Sequence, residues 1–249
     1  MKLPFPLESR RPASSHAAVV LAGGRVAGPR LGPDIALLSL AGRRLLSRAV
    51  ATLLDDTGVT QIVIVIDPAD ADNARALLSR ELGDVPCIFA SGGFAVQASL
   101  ANGVEVLADA ITRGAYDLIV VHDAAFALAP PHLVREVIAT ARHFGAAVPY
   151  IGLDDFVWID RMGTPLRFGR DDRIHIQTPQ AFRAVELLHA CRRAALEHFA
   201  VGTTAEAMER YCGRRVRGVP GDTRNVAIRS PLDLFAAEGV LATSHYALH

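Results

Sequence analysis

Short apolar runs alternate with amphipathic stretches from residue 16 to residue 241. His16-Ala17-Ala18-Val19-Val20-Leu21-Ala22 is an apolar run that breaks into Gly23-Gly24, so it reads as a buried strand with a sharp exit. Leu45, Leu46, Ala49, Leu53 and Leu54 then recur at helical spacing, with Arg43, Arg44 and Arg48 offset from them. Residues 61–66 are a β-branched run, a second strand. Asp67-Pro68 opens a helix that runs to about residue 82 and stops at Gly83: a capping acid, a proline in the first turn and a glycine at the end. Residues 87–90 make a short third strand, Ser91-Gly92-Gly93 a second glycine turn. The helix after it, about 96–110, carries Leu100, Val104 and Leu107 on one face. Residues 116–121 are apolar apart from Asp117, which suits the centre of a parallel sheet, and the run ends at His122-Asp123-Ala124-Ala125. A helix from Pro131 to about residue 142 and a strand over 145–151 follow.

This alternation predicts a three-layer α/β/α sandwich on a Rossmann-like, mostly parallel sheet with right-handed crossovers. In such sheets ligands bind outside the carboxyl ends of the strands. Both glycine turns and the His122-Asp123 pair fall at such ends, so three loops from separate strands are expected to converge on one edge. Past Leu153 the pattern changes. Residues 156–160 and 165–168 flank Arg161-Met162-Gly163-Thr164 and read as a hairpin. An isolated hairpin is marginal in water, so this one is expected to pack on its own domain or on a partner subunit.

The chain then returns to the sheet with a strand over 174–178, and Pro179-Gln180 leads to a helix over about 183–198. Thr203-Thr204 caps a short helix through Arg210. A strand-like stretch at 216–219, a short strand at 225–228 and a last helix opened by Pro231 complete the reading. It amounts to one domain, 16–242, with an arm at 153–168, a loose tail at 1–15 and a second tail at 243–249.

Composition narrows the chemistry. A chain of 249 residues that is 51% hydrophobic can bury a substantial core, and its apolar runs are too short for a transmembrane helix. The first 15 residues hold a lysine, three prolines and Arg10-Arg11 but no apolar segment, which is unlike a secretory signal; the expected location is the cytoplasm. Zero net charge favours neither nucleic acid nor an acidic membrane as partner. Lys2 is the only lysine, so the folded part has no ammonium group for a phosphate or a Schiff base. Cys87, Cys191 and Cys212 lack CxxC spacing and read as small hydrophobes, not as a zinc site or a disulfide framework.

Glycines at 23, 24, 28 and 32 let backbone N–H groups approach a phosphate closely, though the loop is neither GxGxxG nor a P-loop and also reads as a plain turn. His122 is either catalytic or a hydrogen-bond partner for nearby backbone. Asp123, ending the most apolar strand, is either a ligand-edge carboxylate or a turn cap. The pairs Asp154-Asp155 and Asp171-Asp172 read as solvated turn acids, because neighbouring side chains point apart. Arg170 is a substrate anchor or a surface ion pair. Thr178-Pro179-Gln180 is a structural turn.

Several pieces occur together in one order: Ala22-Gly23-Gly24, then Gly92, Gly93 and Ser99, His122-Asp123-Ala124-Ala125, Gln177-Thr178-Pro179-Gln180, Tyr211-Cys212-Gly213, and Asn225-Val226-Ala227 running to Leu234. This order resembles the 2-C-methyl-D-erythritol 4-phosphate cytidylyltransferase family, with ribitol-phosphate cytidylyltransferases as close relatives. The resemblance covers about residues 17–241. It implies a nucleotide-diphospho-sugar transferase type of fold and a Mg2+-dependent reaction, within isoprenoid biosynthesis, in which the phosphate of a polyol attacks CTP and pyrophosphate leaves. It also implies roles. Ala22, Gly23 and Gly24 would line the triphosphate, with Arg30 or Arg25 serving it. Gly92, Gly93 and Ser99 would hold base and ribose, Asp123 and Ala124 would face the nucleotide, and Asp123 would meet the metal. Arg170 would face the substrate phosphate, and the hairpin would be a dimerisation arm.

The chain departs from the family where charge matters. The family's Pro-Lys is Pro33-Asp34, its Asn-Ile-Lys is Asn225-Val226-Ala227, and its Thr-Asp-Glu is Thr203-Thr204-Ala205. Two family arginines fall within Phe94-Ala95-Val96 and at Phe126. Arg224 and Arg229 flank the lost lysine as candidate substitutes, although Arg and Lys are not interchangeable. The transition state spreads negative charge over phosphoryl oxygens, so these losses leave two readings: a cytidylyltransferase with doubtful or reduced activity, and an inactive paralogue acting as a nucleotide-binding or regulatory dimer. A sugar nucleotidyltransferase using another nucleotide shares the fold. An arginine found beside Asp123 would favour the enzyme.

Overall fold

The first strand, β1 (His16–Leu21), lies inside the sheet and is paired on both sides, which its unbroken burial requires. A computed structural model describes residues 15–23, 35–55, 57–152, 156–159, 165–169, 174–197 and 202–246. After β1 come β2 (Ser39–Leu40), β3 (Arg43–Arg44), α1 (Leu45–Leu54), β4 (Val59–Ile66), α2 (Ala71–Leu82), β5 (Cys87–Ser91), α3 (Val96–Glu105), α4 (Ala108–Thr112) and β6 (Leu118–Asp123). The chain continues through α5 (Pro131–Phe144), β7 (Ala146–Gly152), β8 (Phe156–Ile159), β9 (Pro165–Gly169), β10 (Ile174–Ile176), β11 (Gln180–Arg183), α6 (Ala184–Leu196), α7 (Thr204–Cys212), β12 (Arg217–Pro220) and α8 (Pro231–Tyr246).

The main sheet has the order β10-β7-β11-β6-β1-β4-β5, with β12 added on β7. β1 is parallel to β4 and β6, β4 to β5, and β12 to β7. Only β10 and β11 run against their neighbours. The sheet is therefore mostly parallel, as the alternation predicts. Alternate residues of β1 separate two cores. Ala18 and Val20 pack with Leu46 and Leu53 of α1, Leu78 of α2 and Val137 of α5. Ala17 and Val19 pack with Leu100 of α3, Ile111 of α4, Leu187 of α6 and Met208 of α7. These are the two helical layers of the sandwich.

Several local expectations change. Residues 180–183 form a strand, not the lead-in to a helix, since Phe182 is fully buried between β6 and β7. Residues 225–228 are not a strand: the Asn225 amide bonds Asp222 O, and Ile228 makes one backbone bond to Ala125 O. The expected helix over 96–110 is two helices, α3 and α4. A small hairpin, β2–β3, precedes α1, its turn carried by Ala41 (φ 48°) and Gly42 (φ 78°), both in the left-handed region. The last helix continues to Tyr246. Thr203 caps α7 as expected, accepting a hydrogen bond from the Glu206 amide. β8 and β9 pair with each other in a separate two-stranded sheet. The three cysteines are free and part-buried. No helix among the described residues is long and apolar enough to cross a membrane.

Candidate active site

Four strand ends meet at one edge of the sheet. Leu21 of β1 lies beside Asp123 of β6 on one side and Val65 of β4 on the other, and Ile66 lies beside Ser91 of β5. Just past these ends the chain is stitched by backbone bonds: Ala22 N donates to Val65 O (2.9 Å), Gly92 N to Ile66 O (2.9 Å) and Ala124 N to Leu21 O (3.0 Å). A Cβ on Gly92 would lie 3.7 Å from Gly23 O. The two glycine turns and Asp123 are thus brought together, as the loop positions predict. Gly24, Arg25, Arg30, Asp34, Arg170 and the pairs Asp154-Asp155 and Asp171-Asp172 lie outside the described residues.

The turns are held from within. Ser99 is buried, and its hydroxyl accepts a hydrogen bond from the Gly93 amide (2.9 Å). A Cβ at Gly93 would come within 2.5 Å of Ala98 Cβ, so the turn closes on the start of α3 only without a side chain. The amides of Ala22, Gly92, Gly93 and Ala124 are each bonded inside the protein. These residues offer a ligand close backbone approach, and the positive charge a phosphate needs has to come from side chains.

Among the described residues, Arg229 brings a guanidinium to this edge. Arg229 Nη2 donates to Asp123 Oδ2 at 3.1 Å, with Arg229 half exposed and Asp123 about a quarter exposed. The other oxygen of Asp123, Oδ1, accepts the Ala125 amide (2.9 Å), so the carboxylate caps the turn and meets the arginine together. Of the two arginines flanking Ala227, Arg224 is turned away: it forms a two-pronged pair with Asp222 and holds that carboxyl below the usual aspartate range. Arg229 is aimed by its own backbone, whose amide donates to Asp233 Oδ2 (2.9 Å), and by Ile228, which is buried with Leu40, Leu45 and Ala237. The charge reaches Asp123 two residues along from the family's lysine position. Spacing hides this, because the intervening loop is irregular.

A polar latch holds that loop against the sheet. Gln177 is buried; its Nε2 donates to Asp222 O (2.8 Å) and Asn225 O (2.9 Å), and its Oε1 accepts the Asp222 amide (3.1 Å). Asn225 Nδ2 donates to Thr178 O (2.9 Å), and Thr178 precedes a cis proline. The Thr178 hydroxyl accepts the Asp123 amide (3.1 Å) and lies 2.9 Å from His122 Nδ1. The Gln177-Thr178 pair and Asn225 were legible as motif letters but not as this clasp.

His122 is fully buried, so it orders Thr178 and does not face a ligand. Desolvation pulls its pKa from 6.5 down to about 3. The unfolded chain takes a proton here below about pH 6.5, the native protein only near 3. Stability is therefore intact above 6.5 and falls as pH drops through that window, by up to ~1.4 kcal/mol per pH unit from this group. The urea midpoint should fall between pH 7 and pH 5, and His122→Gln should reduce that fall. An equal fall in variant and wild type removes His122 as the cause.

Phe126 sits beside the site, buried, with its ring 6.4 Å from that of His175. Phe94 lies by the second glycine turn and is largely exposed. Both stand where the resemblance places arginines, so the described site holds less positive charge than that pattern.

The family model described as "IspD: 2-C-methyl-D-erythritol 4-phosphate cytidylyltransferase" matches residues 16–243. The 2-C-methyl-D-erythritol 4-phosphate cytidylyltransferase of Geobacillus kaustophilus is 29% identical over 230 residues, covering 92% of this chain and 98% of its own. That of Cereibacter sphaeroides is 32% identical over 233 residues, covering 91% and 96%. The bifunctional IspD/IspF enzyme of Nitrobacter hamburgensis is 32% identical over 228 residues, and the chain spans 55% of its length. Among solved structures, the 4-diphosphocytidyl-2C-methyl-D-erythritol synthase of Anaerococcus prevotii superposes with a TM-score of 0.77 at 21% identity, covering 92% of this chain and 96% of that one. The Thermus thermophilus cytidylyltransferase gives 0.72 at 24%, covering 90% and 98%. At these identities the structures speak for the fold.

Proposed function

Because the chain belongs to the 2-C-methyl-D-erythritol 4-phosphate cytidylyltransferase family, we propose that it joins CTP to a polyol phosphate, with 2-C-methyl-D-erythritol 4-phosphate as the first acceptor. A phosphate oxygen of the acceptor attacks the α-phosphorus of CTP, the bond to the β-phosphate breaks, and pyrophosphate leaves with the electron pair. The observation that carries this reading is Arg229 on Asp123 at the meeting of four strand ends. Chemistry of this kind asks a protein mainly for position and for charge beside phosphoryl oxygens. The strand ends give position, and Arg229 gives a planar guanidinium charge.

Mg2+ is proposed as the cofactor. Such an ion is held by one or two carboxylates together with substrate phosphates, and Asp123 is a single carboxylate placed for that pattern. When bound, it neutralises charge on the triphosphate oxygens. Asp123 would hold it through Oδ2, since Oδ1 is tied to the Ala125 amide.

The test is pyrophosphate release from CTP with 2-C-methyl-D-erythritol 4-phosphate, beside a thermal-shift series over CTP, UTP, ATP and GTP. Release with CTP as the stabilising nucleotide is expected. A second reading, a nucleotide-binding dimer without turnover, is favoured by one observation: both oxygens of Asp123 already carry a donor. It predicts stabilisation by CTP with no pyrophosphate. Stabilisation by another nucleotide in place of CTP removes the cytidylyltransferase reading.

The arm is proposed to pair two copies of the chain. β8 and β9 form their own two-stranded sheet, and an isolated hairpin of two strands is marginal in water. Sedimentation equilibrium should give twice the mass of one chain, and a single-chain mass at micromolar concentration rules the pairing out.

A further inference from the structure

Asp123 is asked to do two things that compete. Its Oδ2 is the oxygen with no backbone donor on it, and the Arg229 guanidinium is bonded to it at 3.1 Å. A divalent cation on Oδ2 would stand within a few ångströms of the guanidinium, and like charges at that range repel strongly even after screening. Oδ1 accepts the Ala125 amide, which fixes the carboxylate's orientation, and a cation there would also stand close to the guanidinium. Arg229 has somewhere else to go. Its side chain is half exposed, and among the described residues Asp123 is the one carboxylate it is paired with. Its remaining N–H donors suit the paired oxygens of a phosphate. Its backbone is held by Asp233 independently of the side chain.

We propose that Arg229 is a latch on Asp123: it occupies the carboxylate oxygen that a divalent cation needs, and an incoming triphosphate draws it off, so the metal enters with the nucleotide and not before it. The inference rests on the cytidylyltransferase reading and adds an order of binding to it. It assigns Arg229 two positions, one on the carboxylate and one on phosphate. Arg224 has no part, since Asp222 holds it.

The experiment is a Mn2+ titration of the full chain, followed by the electron paramagnetic resonance signal of free Mn2+, with and without CTP. Wild type should bind Mn2+ weakly without CTP and much more tightly with it. Arg229→Gln should tighten Mn2+ binding without CTP by about tenfold, the scale of removing one screened like charge nearby, and should shrink the gain from CTP. Arg224→Gln removes the same formal charge from the same loop and should leave both affinities as in wild type. CTP binding is read separately by thermal shift. If CTP binds but Arg229→Gln leaves CTP-free Mn2+ affinity unchanged, the latch is wrong and the enzyme reading stands. An equal gain in Arg224→Gln also overturns it, because the effect is then general charge. If CTP binds neither wild type nor variant, the cytidylyltransferase reading fails and takes the latch with it.

Discussion

Replacing Asp123 by alanine is expected to slow pyrophosphate release from CTP and 2-C-methyl-D-erythritol 4-phosphate by about a thousandfold, the scale of removing one preorganised group from the charge-bearing step. The size follows from the position. Asp123 ends the central apolar strand, stands beside the end of β1 and carries Arg229. Its loss removes the proposed metal contact and the anchor of that arginine together. Alanine also strips the cap on the Ala125 amide, so a structural cause needs its own control. Asp123→Asn keeps the shape and an oxygen for that amide while removing the charge. It should keep the wild-type melting temperature and lose nearly as much rate. Rates within threefold of wild type for both variants would discard Asp123 as a site residue.

Gly221→Ala should be the most damaging change of one methyl group. The demand is space, since Gly221 is not in the left-handed region. A Cβ there would overlap Gln177 Oε1 and come within 2.9 Å of the Tyr150 carbonyl oxygen. Neither can yield. Tyr150 O is backbone of β7 and already accepts the Gly221 amide at 2.7 Å. Gln177 is buried, with its amide group bonded to Asp222 and Asn225. Moving it leaves buried polar groups unpaired, which adds to the steric cost. Together these amount to ~3 kcal/mol, or a fall in melting temperature of roughly 6–12 °C for a chain of this size. The loop so loosened carries Arg229, so pyrophosphate release should also drop by about tenfold. A calorimetric melting point within 2 °C of wild type would show that the clasp does not bear on stability.

Much of the sheet was legible before any coordinates. The runs at 17–21, 62–66 and 118–121 are β-branched or apolar throughout, and only a strand buried on both faces tolerates that. Proline and glycine punctuation at Pro68, Gly83, Pro131 and Gly145 bounded the helices for local reasons of backbone geometry. β11 escaped because four residues after a proline carry no period to read, and its pairing partners lie some sixty and thirty-five residues earlier. Residues 225–228 read as a strand because Val226 and Ile228 look β-like, whereas the Val226 amide bonds Arg224 O, two residues back, and the Ile228 amide bonds Ala125 O, about a hundred residues away.

The sequence by itself determined the alternating layers, the convergence of glycine turns with Asp123 at one edge, and the family, because each is written in local patterns of polarity and small residues. Which of the two flanking arginines meets Asp123 was decided only by tertiary structure. Arg224 and Arg229 are equivalent as letters. Asp222, two residues back and itself held by Gln177, captures one, and the burial of Ile228 with Leu40 and Leu45 aims the other at Asp123, far along the chain.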